Sequence, residues 1–94
     1  MVFAIDIGNT NIVIGGFEGD EITFTERLST NHKATSLEYA IMFKNVLEMY
    51  NYEFSNIDGA IISSVVPDVT QIVSLAVEKI CNKNKISYSC YRFR

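Results

Sequence analysis

Only four small turn-forming residues, Gly8, Asn9, Thr10 and Asn11, stand between the first two apolar runs of this chain, and they leave no room for a helix. The run before them, Val2, Phe3, Ala4 and Ile5, is short, apolar and partly β-branched, as strands are. The run after them, Ile12, Val13, Ile14, Gly15, Gly16 and Phe17, has the same character. Strand, tight turn and strand make a hairpin over residues 2–7 and 11–17. A plain doubly wound fold, which opens on a strand followed by a helix, is thereby excluded.

Residues 21–28 continue as a third strand, in which Ile22, Phe24 and Leu28 alternate with polar neighbours after a tight turn at 18–20. A polar loop follows, and Thr35 or Ser36 caps a helix over 36–51 with Glu38 in its first turn. Tyr39, Ala40, Phe43, Val46, Leu47 and Tyr50 share one face of it, a stripe suited to packing on a sheet. Residues 58–66 hold an apolar run unbroken by charge after Asp58, as expected for a strand covered on both faces. Pro67 opens a second helix over 67–81, with Asp68 in its first turn. Its buried stripe is Val69, Ile72, Val73, Ala76, Val77 and Ile80, and residues 86–91 form a fifth strand. The order β-β-β-α-β-α-β predicts an α/β, ribonuclease-H-like domain over residues 1–94. Its five-stranded mixed sheet has the first strand central and the helices packed on it.

Composition narrows the function. At 48% hydrophobic and 20% charged residues, the chain is ordinary for a globular domain. No apolar run approaches the ~20 residues that span a bilayer, and the N-terminus lacks the basic start of a signal peptide, which points to the cytoplasm. A net charge of −3 argues against a nucleic-acid partner. Cys81 and Cys90 have no metal-type spacing, and the one histidine, His32, lies far off in a polar loop, so both read as reduced thiols. Residues 1–81 carry four basic against eleven acidic side chains, whereas 82–94 carry Lys83, Lys85, Arg92 and Arg94 and no acid. A basic tail can be an interaction arm. A chain cut short, or read out of frame near its end, explains the same shift and is the expectation adopted for residues 82–94.

The first turn also bears on chemistry. Asp6 leaves a buried strand immediately before Gly8, Asn9, Thr10 and Asn11, which gathers a carboxylate, backbone N–H groups, a hydroxyl and amides round one small concavity. Such a set suits a metal-bound phosphate, with the carboxylate on a hydrated cation and the turn donors on phosphate oxygens. A plain hairpin, whose Gly and Asn only supply turn dihedrals, fits the same residues. Ser63 and Ser64 are set aside as nucleophiles, because no His lies near in sequence and helix capping accounts for them. A ribonuclease-H-type nuclease needs three or four clustered carboxylates. Asp6 with Glu38 or Glu48 supplies two, and the fourth strand ends in serines where a third is required.

Three motifs in order give this chain a family resemblance. Asp6 to Asn11, then Arg27-Leu28-Ser29-Thr30, then Ile62-Ser63-Ser64-Val65-Val66-Pro67, with Glu38 and Tyr39 early in the first helix, resemble the N-terminal half of type III pantothenate kinases. That family belongs to the acetate-kinase, Hsp70 and actin superfamily, and the likeness covers roughly residues 1–81. The resemblance implies ATP-dependent phosphorylation of pantothenate, the first step of coenzyme A biosynthesis, by a cytoplasmic homodimer needing Mg²⁺ and a monovalent cation (K⁺ or NH₄⁺). It implies that Asp6 positions the metal, that Gly8, Asn9, Thr10 and Asn11 form the first phosphate loop, and that Ser63, Ser64 and Val65 line the cleft near the transferred group. The family's Gly-Ala-Asp-Arg motif, with its proposed catalytic base, its Gly-Pro-Gly segment and its second phosphate loop have no counterpart here. The chain is therefore expected to be inactive alone, with a non-catalytic binding or partner-association role as the alternative.

Overall fold

The computed structural model describes residues 1–89. Its elements run β1 (Val2–Ile7), β2 (Asn11–Glu18), β3 (Glu21–Ser29), α1 (Ser36–Met49), β4 (Gly59–Ser64), α2 (Pro67–Ile80) and β5 (Ile86–Ser89). The five strands form one mixed sheet in the order β3-β2-β1-β4-β5, with β1 central as expected. β1 pairs antiparallel with β2 and parallel with β4. The β2–β3 hairpin turns through Gly19 and Asp20, and Gly19 takes a φ of 62°, open to glycine at little steric cost. The fifth strand's expected residues 90 and 91, Cys90, Arg92 and Arg94 lie outside the described residues.

Alternation along the strands decides the core. Phe3, Ile5 and Ile7 of β1, Ile12 and Ile14 of β2 and Ile62 of β4 point to one face, each no more than 2% exposed. Tyr39, Phe43 and Leu47 of α1 and Val73, Ala76 and Val77 of α2 join them in a single cluster. Phe3 and Phe43 meet edge to face, 5.6 Å between ring centroids. α1 starts on a capping box: the Glu38 N–H donates to Thr35 Oγ1 (3.1 Å) and the Thr35 N–H donates to Glu38 Oε1 (2.8 Å). It stops at Met49 rather than 51, because Asn51 turns to a φ of 66°.

Both helices lie on the same face, and the topology requires it. β3 is parallel to β4, so the crossovers β3–α1–β4 and β4–α2–β5 advance in the same direction across the sheet. Right-handed crossovers of that kind deposit their helices on one side. The apolar run of β4 is therefore covered on one face only among the described residues, not on two. Ile61 is 45% exposed and Val13, beside it across β1, is 37% exposed. β4 also ends earlier than 66, because the Val66 N–H donates to Ser64 Oγ (2.9 Å) and turns the chain out of the ladder. Cys81, just past α2, is a half-buried free thiol whose pKa burial pushes up. Among the described residues no helix is long and apolar enough to cross a membrane.

Candidate functional site

The β1–β2 turn is held rigidly from behind. The Gly8 N–H donates to the Asn11 carbonyl (2.8 Å), closing the turn. A Cβ on Gly8 would stand 3.1 Å from that same oxygen, so the close approach favours glycine. Thr30, just after β3, ties the turn twice. Its N–H donates to the Thr10 carbonyl (2.9 Å) and its Oγ1 to the Gly8 carbonyl (2.8 Å). His32 Nε2 donates to the Asn9 carbonyl across 3.1 Å. All four carbonyls of residues 8–11 are thus engaged. The N–H groups of Asn9 and Thr10 take no partner among the described residues. Asn11 Nδ2 donates to Thr10 Oγ1 (3.2 Å), which leaves the threonine its own proton to give. A turn whose carbonyls are engaged while two of its N–H groups are left over has the donor set that suits an anion.

Asp6 stands at the C-terminal end of β1, exposed, with Val13 of β2 on one side and Ser63 of β4 on the other in the ladder. Ser63 stands where a two-metal nuclease requires a carboxylate, and no group of three or more His, Cys, Asp or Glu is gathered among the described residues. One carboxylate beside free donors fits Mg²⁺, which keeps most of its waters and shares its ligation with phosphate, better than it fits a metal caged by protein.

The three residues expected at the cleft part company. Ser63 is buried and joins Asp6, Ala4, Val13, Gly15 and Ile61 around a concavity of about 310 Å³ on the uncovered face. Ser64 and Val65 instead line a separate groove of about 500 Å³ with Pro67, Thr70 and Tyr88. The Val65 N–H donates to the Ile7 carbonyl (3.2 Å), which brings that segment beside the β1–β2 turn. Neither serine caps α2. Its N-cap is Val66, whose carbonyl accepts from the N–H (2.9 Å) and hydroxyl (2.8 Å) of Thr70. A larger hollow of about 590 Å³ sits past the end of α1, among Leu47, Tyr52 and Phe54, and holds none of the expected site residues.

Thr30 appears in the sequence only as part of a family motif and His32 only as a loop residue, yet both hold the turn. His32 is exposed, as a loop histidine should be, yet it grips the turn. The signal was available in the hairpin register: β3 returns Ser29 to a position opposite Asn11, so the next residues must pass behind residues 8–11.

Comparison with known proteins points the same way. The family described as type III pantothenate kinase matches residues 2–90. The type III pantothenate kinase of a Geobacillus species is 43% identical over 83 residues, which is 88% of this chain and 31% of that protein. That of Finegoldia magna is 46% identical over 79 residues, 84% of this chain and 30% of the relative. That of Brevibacillus brevis is 41% identical over 83 residues, again 88% of this chain and 31% of the relative. The chain spans under a third of the length of these relatives.

Proposed function

The chain belongs to the type III pantothenate kinase family, and from that premise we propose that it is the nucleotide-holding N-terminal part of an enzyme that phosphorylates pantothenate with ATP. The turn at residues 8–11 carries this reading, because its carbonyls are engaged from behind while Asn9 and Thr10 keep their N–H groups for a ligand. Phosphoryl transfer asks the protein chiefly for positioning and charge stabilisation. The Asn9 and Thr10 N–H groups and the Thr10 hydroxyl bind phosphate oxygens, Gly8 lets the turn close, and Asn11 orients the threonine. Asp6 would hold Mg²⁺, and the bound ion would supply charge that offsets that of the phosphates. Ser64 and Val65 line the groove beside the turn on the substrate side.

The remainder of the proposal rests on the family: a second domain closing over the nucleotide, a monovalent cation (K⁺ or NH₄⁺), a homodimer, the cytoplasm, and product entering coenzyme A synthesis. This chain alone is expected not to turn over. Donors on one side only leave the γ-phosphate in water, where their stabilisation is screened. No Gly-Ala-Asp-Arg motif is present to supply a base for the pantothenate hydroxyl. A second reading, a binding module that works by association, is favoured by the exposure of Val13 and Ile61 on the uncovered face.

Titration of the chain with MgATP, followed by amide NMR, tests the site. Asp6→Asn is expected to weaken binding by removing the charge on the cation. Thr10→Ala is expected to cost about 1–2 kcal/mol of binding through one lost hydrogen bond, with the fold intact. Unchanged affinity in both variants overturns the phosphate-turn assignment and leaves the association reading. In a coupled assay, pantothenate-dependent ADP release by the purified chain at ordinary kinase turnover overturns the expected inactivity.

A further inference from the structure

Ser63 is the buried polar residue that the fold itself does not explain. It is 8% exposed, and its Oγ is hidden from solvent with no hydrogen-bond partner among the described residues. Buried hydroxyls are nearly always bonded, and one left alone is destabilising relative to alanine. Helix capping does not account for it, since the N-cap of α2 is Val66. In the parallel ladder Ser63 is the register partner of Asp6, so the two side chains stand on the same face of neighbouring strands, about 4.8 Å apart in the sheet. Both line one concavity whose other walls are mostly apolar, from Ala4, Val13, Gly15, Phe17 and Ile61, and Asp6 is the ionisable residue in it.

We infer that the Ser63 hydroxyl is a positioning group for Asp6, donating to its carboxylate when that carboxylate engages a cation. The inference rests on the assignment of Asp6 to the metal–phosphate. At rest the exposed carboxylate is solvated and the hydroxyl is idle. When a hydrated cation draws the carboxylate into one orientation, a donor on the adjacent strand fixes its second oxygen by a charge-assisted bond. Carboxylates that hold metals are regularly held in turn by such outer partners, whose loss typically lowers metal affinity 10–100-fold. Ser63 itself touches neither nucleotide nor metal.

The test compares the intact chain with Ser63→Ala, Ser63→Thr and Ser63→Val, titrated with ATP in Mg²⁺ and with ATP in a chelator, alongside thermal melts. Ser63→Ala is expected to lower MgATP affinity about tenfold, leave metal-free ATP binding unchanged, and keep or raise the melting temperature. Ser63→Thr, which retains a hydroxyl, is expected to bind MgATP more tightly than Ser63→Val, which has the same shape without one. A merely structural serine would lower the melting temperature and weaken both ligands together, and that result overturns the inference. If Asp6→Asn loses MgATP affinity while Ser63→Ala keeps it, Ser63 has no such role and the phosphate site stands. If the unaltered chain binds ATP equally with and without Mg²⁺, both fall.

Discussion

The two ends of the parallel pair β1 and β4 treat their polar groups in opposite ways. At the N-terminal end, the Met1 ammonium donates to the Asn56 carbonyl (3.0 Å), pairs with the Asp58 carboxylate, and lies 3.8 Å from Glu18. At the C-terminal end, six residues along the same strand, the Ser63 hydroxyl and the Asn9 and Thr10 N–H groups have no partners among the described residues. A domain of this size gains stability by satisfying such groups, and the first end does so. Departures from that rule gather where a ligand supplies what the protein withholds. Across this strand pair, the contrast separates groups satisfied within the protein from those that the proposed function gives to a ligand.

The largest expected effect tests whether the two ends belong to one cooperative unit. Phe3 is fully buried between them, against Phe43. Phe3→Ala removes that ring and leaves a cavity, at a cost of about 3–5 kcal/mol. In urea, amide signals at Gly8 and at Asp58 are expected to disappear together. If one end melts well before the other, they are separate units and the comparison fails. Val13→Thr, on the uncovered face, is expected to change stability by no more than about 0.5 kcal/mol.

A smaller effect sharpens the difference in roles. Thr30→Val removes the hydroxyl bond to the Gly8 carbonyl and leaves that oxygen unpaired, which costs about 1 kcal/mol and loosens the turn. MgATP affinity is expected to fall with it. Asp58→Asn, at the far end, is expected to leave MgATP affinity unchanged. Equal losses in the two variants, measured by calorimetry, would mean that binding follows general stability rather than the turn.

Much of this contrast was legible in the residues, and the limits have physical causes. Periodicity and turn chemistry placed β1, β2, β3 and both helices to within two residues, because each is a local property of the chain. The β1–β2 turn itself was legible because Asp6, Gly8 and Thr10 are close in sequence, and its phosphate-binding role is the proposal made above. The uncovered face was not: an apolar run reports what a strand can bury, and the direction of the two crossovers decides what covers it. The engagement of the turn by Thr30 and His32, and the isolation of Ser63, depend on register between segments more than twenty residues apart. Capping was the natural reading of a serine near a helix start. The turn at Ser64 displaced it, placing Val66 at the cap.

The smallest effect concerns acid. The hydrogen bond from the Met1 ammonium, and then its charge, hold the Asp58 carboxyl below the usual carboxylate range, with Lys85 adding to the pull. In the unfolded chain the same carboxyl titrates near its ordinary value of about 3.9. A group whose pKa is lower when folded contributes its full stabilisation above the unfolded value, and that contribution is lost as pH falls through the folded one. Melting temperature is therefore expected to fall, as pH drops below about 4, more steeply in the unaltered chain than in Asp58→Asn. The Asp58 side chain is 79% exposed, so the difference is small and shrinks in high salt as the pair is screened. Acid limbs that run parallel at low salt would show that this end is held by the Asn56 carbonyl and packing instead. The contrast between the two ends would then rest on hydrogen bonding alone, without charge.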